Sequence, residues 1–161
     1  MSSDRIPRRI LLAGLLALSG CGFVPVYSDG AALRGQISFT ANDTVAGFRL
    51  RERLETRLGQ STAPRYQLSA RVSQSQRTAA ITSDGANTRF NIIGRATWAL
   101  TENATGSRIG AGEVEAFTSY SATSSTVATQ STKDDAEARL AVILADMIVS
   151  RILVLTPEPA S

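Results

Sequence analysis

Residues 89–100 read RFNIIGRATWAL, and their alternation decides the fold. Phe90, Ile92, Gly94, Ala96, Trp98 and Leu100 fall on one side of an extended chain, and Arg89, Asn91, Arg95, Thr97 and Ala99 fall on the other. Successive side chains of a strand point to opposite faces, so this segment is a strand buried on one side only. Upstream, Tyr66, Leu68, Ala70 and Val72 alternate with Gln67, Ser69, Arg71 and Ser73, which makes a second half-buried strand reaching toward Arg77. Asp84-Gly85 between the two is a turn pair, because Gly takes positive φ freely and Asp tolerates it. Downstream, residues 103–107 (NATGS) supply the next turn. Residues 109–120 continue the meander, with Val114, Ala116, Thr118 and Tyr120 on one side. Gly110 and Gly112 within that strand mark a bulge or a close backbone approach.

Helices flank this meander. Residues 36–40 (QISFT) form a short strand with Ile37 and Phe39 on one face. Asn42-Asp43-Thr44 then offers short side-chain oxygens that can cap a helix. Leu50, Leu54 and Leu58 follow at a spacing of four, with Arg49, Arg51, Glu52, Arg53, Glu55 and Arg57 around them, and Gly59 is a natural stop. Such a charged face is ordinarily solvated, and a polyanion is the alternative it leaves open. Residues 121–132 (SATSSTVATQST) read as a polar loop, with Thr132 and Asp135 resembling a capping box. Ala136, Leu140, Ile143, Leu144, Met147, Ile148 and Ile152 then define a second helix, running to about residue 155 and stopping before Pro157. Asp146, Ser150 and Arg151 interrupt its apolar run, and it is too short to span a bilayer comfortably, so it reads as a core helix.

The order β-α-β-β-β-α, with one apolar side per strand and one apolar stripe per helix, predicts an α+β two-layer sandwich. About four strands form a mixed sheet, and both helices cover one of its faces. The other face carries Gln67, Ser69, Ser73, Asn91 and Thr97. A face of that kind meets water or packs into a wet, polar cavity of a partner.

The N-terminus has a different character. Arg5, Arg8 and Arg9 precede the apolar run of residues 10–18 (ILLAGLLAL), and Leu18-Ser19-Gly20-Cys21 follows. This is a charged region, a short hydrophobic region and small residues, the build of an export signal. The last four residues resemble the bacterial lipobox. That resemblance implies a diacylglycerol on the Cys21 sulfur, cleavage before Cys21 and an acyl chain on its amine. Two or three acyl chains hold a protein far more firmly than one. The chain therefore divides into a signal peptide (1–20), a lipidated tether (21–35), the α+β domain (36–156) and a tail (157–161). Gly22, where an Asp would resemble an inner-membrane retention signal, favours the outer membrane.

Composition narrows the chemistry. The chain is 43% hydrophobic and 19% charged, so a folded core is expected. It has no histidine and one cysteine, which excludes histidine-based relays, imidazole metal ligands and an intrachain disulfide. Lys133 is the only lysine, Glu113 and Glu115 share a strand face, and no G-x-S-x-G is present. No convergent acid–base set emerges, so no catalytic residue, metal or cofactor is expected beyond the acyl chains on Cys21. The net charge of +3 falls to about +1 once Asp4, Arg5, Arg8 and Arg9 leave with the signal, too little for a nucleic-acid footprint.

The lipobox running into Cys21-Gly22-Phe23, then Pro25 and Tyr27, resembles the LptE (RlpB-like) lipopolysaccharide-assembly lipoproteins. The element order, the Arg-rich first helix, the strand around Phe90-Asn91-Ile92 and residues 96–100, the polar loop and the long last helix are similar to that family too. The resemblance implies a non-catalytic lipoprotein on the periplasmic side of the outer membrane. It implies residence inside the LptD β-barrel, help in assembling that barrel, and delivery of lipopolysaccharide to the outer leaflet. Lipopolysaccharide phosphates favour Arg or Lys donors. The tip between the second and third strands is Ser83-Asp84-Gly85, which is not basic, so Arg77 and Arg89 flanking it are the lipid-binding candidates. An auxiliary lipoprotein of an ABC-type lipid transport system is the alternative.

Overall fold

The computed structural model describes residues 33–81, 87–122 and 125–155. The expected signal peptide, Cys21, the expected tether as far as residue 32, the expected turn at Asp84-Gly85 and the tail lie outside the described residues. The elements are β1 (Ile37–Ala41), α1 (Val45–Leu58), β2 (Tyr66–Ile81), β3 (Asn87–Glu102), β4 (Arg108–Ser121) and α2 (Thr126–Leu155). They form one sheet in the order β1-β2-β3-β4, with β1 parallel to β2 and the other pairs antiparallel. This is the α+β arrangement that the alternation predicts.

Register makes the sheet one-sided. Leu68 lies opposite Leu100, Ala70 opposite Trp98 and Val72 opposite Ala96, and Ala96 in turn lies opposite Val114. Every apolar residue thus meets apolar neighbours on the same face, and a slip by one position would turn all of them to water. α1 lies over β1 and β2, α2 over β3 and β4, and the helices touch each other. Leu50, Leu54 and Leu58 from α1 join Leu140, Leu144, Ile148 and Ile152 from α2 in a core that also takes in Leu33, Ile37, Leu68 and Leu100. The folded unit therefore begins ahead of β1: Leu33 is buried, and the Gly35 N–H donates to the Leu58 carbonyl at 2.8 Å.

Of the three short polar residues ahead of α1, two have separate tasks. Thr44 is the cap, its hydroxyl accepting from the Gly47 N–H at 3.1 Å. Asn42 instead uses its amide as a strand residue would. It accepts from the Val72 N–H at 2.8 Å and donates to the Val72 carbonyl at 3.1 Å, extending the β1–β2 pairing past the end of β1. This tight corner leaves no room at Gly47, where a Cβ would overlap the Asn42 carbonyl oxygen. At the other end Gly59, with φ 76°, lets its N–H return to the Glu55 carbonyl and closes the helix.

The arginine face of α1 is only partly solvated. Arg53 grips Asp146 of α2 in a two-pronged contact, Nε to Oδ1 at 3.1 Å and Nη2 to Oδ2 at 2.9 Å. Arg57 adds a contact to the same carboxylate at 3.4 Å, and Arg49 donates to the Asp134 carbonyl at 3.2 Å. A planar guanidinium suits such paired geometry. These three arginines fasten the two helices together, a task the sequence pattern does not display.

α2 is longer than its apolar stripe suggests. It begins at Thr126, inside the stretch that reads as a loop. Ser125 caps it: its hydroxyl accepts from the Ala128 N–H at 3.4 Å and its carbonyl from the Thr129 N–H at 3.0 Å. Thr132 is therefore a mid-helix residue and no cap. Its hydroxyl donates back to the Thr129 carbonyl at 2.9 Å, which is how a hydroxyl is accommodated within a helix. The buried arc of α2 also turns toward α1, burying Ala141, Ala145 and Val149 and leaving Ile143 on the far side, 40% exposed. Among the described residues no helix is long and apolar enough to cross a membrane.

Two outcomes test this account. Gly47→Ala should destabilise the domain by about 1–3 kcal/mol, the range for forcing atoms into a filled site, measured by chemical denaturation. Arg51 first, at 2.7 Å, and then Gln60, at 2.9 Å, hold the Glu55 carboxyl below the ordinary carboxylate range. The ionised form is thus favoured in the fold, so this contribution is present above a pH of about 4.3 and fades as pH falls through the lowered value. Glu55→Gln should flatten the acid side of the stability–pH curve relative to the parent, with little change in its shape near neutrality.

Candidate interaction surface

The face of the sheet away from the helices is the surface left for a partner. β2 contributes Gln67, Ser69, Arg71, Ser73 and Arg77, all at odd positions opposite the buried Leu68, Ala70 and Val72. β3 adds Asn91, Ile93, Arg95 and Thr97, and β4 adds Glu113, Glu115, Phe117 and Ser119. At its centre Arg95 bridges two carboxylates, reaching Glu113 at 3.1 Å and donating from Nε to Glu115 at 3.0 Å. The bond to Glu115, and then the charges of both glutamates, raise the Arg95 pKa above its ordinary value. The bridge neutralises what would otherwise be two like charges on one strand. A shallow depression of about 500 Å³ lies beside it, floored by small residues such as Ser69, Thr97, Ala99 and Ala111 and rimmed by Arg71 and Arg108.

Arg77 and Arg89 end up on this same face. Arg77 lies opposite Asn91, and Arg89 lies between Ala80 on one side and Ser121 on the other, next to a register shift at Thr78 and Ala80. Phe90 faces the helices and stacks on Tyr120, with ring centroids 5.3 Å apart, so its neighbour Arg89 points the opposite way. Both arginines are exposed, and neither ion-pairs with another described residue. On adjacent antiparallel strands they are diagonal neighbours, a separation of about 7–8 Å between backbones. Two free guanidinium groups at that spacing can take one phosphate or two adjacent ones. Cys21, the proposed acylation site, lies outside the described residues.

Phe117 is the residue that sequence reading passes over. It is 67% exposed on the edge strand β4 of the polar face, with Ile93 directly opposite on β3. A shallow groove of about 280 Å³ runs between them and Glu115. The signal was available: an aromatic at an outward position of a strand whose inward positions are already assigned. A large exposed apolar side chain beside charged groups is the build of an interface anchor.

The carboxylates of this face are engaged in ion pairing. Glu113 and Glu115 are both committed to Arg95, and Lys133 lies 3.9 Å from Glu137 on the helix side. Among the described residues no group of acidic or cysteine side chains is placed to hold a metal ion.

A one-sided mixed sheet under two helices, with a polar outer face, is a fold shared by bacterial lipoproteins. A lipoprotein from Caulobacter crescentus CB15 superposes with a TM-score of 0.67 at 20% identity, over 81% of this chain and 98% of that one. Rare lipoprotein B from Shewanella oneidensis gives 0.58 at 15% identity, over 74% of this chain and 94% of that one. A minor lipoprotein from Acinetobacter baumannii gives 0.51 at 17% identity, over 78% and 97%. No relative was found among curated proteins. The sequence model of the LptE family, described as lipopolysaccharide-assembly, matches residues 34–152. The chain belongs to that family of lipopolysaccharide-assembly lipoproteins.

Proposed function

We propose that this protein is an outer-membrane lipoprotein, held on the periplasmic side by acyl chains on Cys21, that joins an LptD-type β-barrel. In that complex it aids assembly of the barrel and the passage of lipopolysaccharide to the outer leaflet. The observation that carries the reading is the uncovered sheet face. It is polar, internally neutralised by the Arg95 bridge, and holds one exposed aromatic anchor at Phe117. A barrel lumen is polar and wet, and a surface entering it should offer hydrogen-bonding groups without a large net charge. The acyl anchor keeps the domain at the membrane and raises its local concentration near a barrel there. Arg77 and Arg89 are the residues we assign to lipopolysaccharide phosphates.

Photo-crosslinkers at Asn91 and Ser119 on the open face should capture a large β-barrel protein, and one at Glu52 on α1 should not. Capture of transporter components from the open face would instead favour the ABC-type alternative. Phe117→Asp should reduce that capture several-fold while leaving stability within about 0.5 kcal/mol, since the side chain is exposed in the isolated domain. For the anchor, Cys21→Ser should leave full-length precursor and abolish incorporation of labelled fatty acid. Normal labelling of that variant would remove the anchor from the proposal.

A further inference from the structure

The C-terminal end of α2 and the outer edge of β4 enclose a groove of about 620 Å³ on the helix side of the sheet. That is within the range of about 300–1,000 Å³ that small-molecule sites occupy. Its walls are Met147, Val154, Leu155 and the indole of Trp98, with Arg151 at the rim and Gly112 below. The glycines of β4 make the groove possible. Leu155 comes down on Gly110, and the Trp98 ring lies flat over Gly112, whose Cβ would sit 3.3 Å from Cζ2 and 3.4 Å from Nε1.

Three features of this groove are unspent. The Trp98 side chain is 5% exposed, and its indole N–H has no hydrogen-bond acceptor. A buried donor left without a partner is costly, so the position favours an occupant that brings an acceptor. Arg151 is exposed and pairs with no carboxylate among the described residues. Val154 is 86% exposed and Leu155 41% exposed, so apolar surface faces water where the groove opens. The other polar side chains are engaged elsewhere: Ser150 donates to the Asp146 carbonyl at 2.9 Å, and Glu113 is held by Arg95 at 3.1 Å.

We propose that this groove binds a single-chain anionic amphiphile, either a fatty-acid carboxylate or an alkyl phosphate. The alkyl chain lies along Met147, Val154 and Leu155. The head group accepts from the Trp98 indole N–H once the side chains covering it move aside, and pairs with Arg151. The groove lies at the β4 edge, where Ala111 and Glu113 of the open face also line it, but away from the end of that face that carries Arg77 and Arg89. Trp98 is nine residues along β3 from Arg89, about 30 Å at the rise of a strand. Crosslinking from Asn91 and Ser119, at the Arg89 end, is therefore read independently of amphiphile binding here.

The chain has one tryptophan, so its emission reports on the groove directly. The test uses the unacylated chain from Gly22 onward, which keeps the whole described core. It is titrated with dodecyl phosphate, dodecanoate, dodecanol and inorganic phosphate, each well below its micelle concentration. Saturable shifts of the Trp98 emission are expected with dodecyl phosphate or dodecanoate, and the stronger of the two identifies the head group. Dodecanol should bind more weakly, and inorganic phosphate should have no effect. Arg151→Gln should weaken binding of the charged amphiphiles about tenfold, the scale of one charge-assisted contact, while leaving dodecanol unchanged. Val154→Glu, a change at an exposed position, should abolish binding of all three alkyl probes. The proposal is overturned if no amphiphile gives a saturable shift, or if both variants bind as the parent does. It is also overturned if the emission responds to removal of residues 156–161 and to none of the amphiphiles, because the chain's own end then fills the groove.

Discussion

Leu140 and Leu144 reach the sheet because residue 94 has no side chain. A Cβ there would lie 2.8 Å from the Leu140 Cδ2 atom and 3.0 Å from the Leu144 Cδ1 atom, closer than packed carbon atoms tolerate. β3 is a central strand, so the glycine sets how deep α2 sits over the middle of the sheet. Once α2 is seated there, its arc is fixed: Leu140, Leu144, Ile148 and Ile152 face inward, and Asp146 comes round to α1. The two-pronged Arg53–Asp146 contact then sets α1 against α2. Its contribution is specificity of placement more than energy, since both side chains are about a third exposed and partly screened.

One consequence is the division of labour between the two faces. Both helices are used up on the face that buries Leu68, Val72, Ala96, Leu100 and Val114, and no described element remains to cover the other. The odd positions of β2, β3 and β4 must then be compatible with water, and they are: Ser, Thr, Gln, Asn and an Arg–Glu bridge. Phe117, with Ile93 opposite it, departs from that rule. An exposed aromatic in a polar field adds nothing to the stability of the isolated domain, so its place is better explained by a surface that covers it. The proposal of a barrel partner follows from this asymmetry and from the family the chain belongs to.

Much of the fold was legible in the sequence because its period-two and period-four signals are clean where one face is buried. Residues 66–73 and 89–100 alternate without a charged residue on the inner side, and Leu50, Leu54 and Leu58 recur at helical spacing. The signals fail where polar residues take part in structure. The stretch 126–132 looks like a loop because Ser and Thr are weak helix formers, yet Ser125 caps it and the Thr132 hydroxyl is satisfied by the Thr129 carbonyl. Asn42 looks like a cap and acts as a strand residue. Arg49, Arg53 and Arg57 look like a solvated stripe and hold α2. Each of these depends on a partner 30 or more residues away or on a side-chain bond, and neither leaves a periodic trace.

The candidate surface divides in the same way. Alternation placed Arg77 and Arg89 outward, but their proximity depends on the antiparallel register that sets Arg77 opposite Asn91. No sequence pattern encodes that register. The groove at Trp98 is less visible still. Gly110 and Gly112 announce a close approach, which the structure bears out, but what approaches is set by how far α2 extends past Ile152. Had the helix stopped a turn earlier, Leu155 would not reach Gly110 and Val154 would not overhang the edge of β4. The length of α2, fixed at one end by Ser125 and ending just before Pro157, therefore shapes the groove as much as the tryptophan within it.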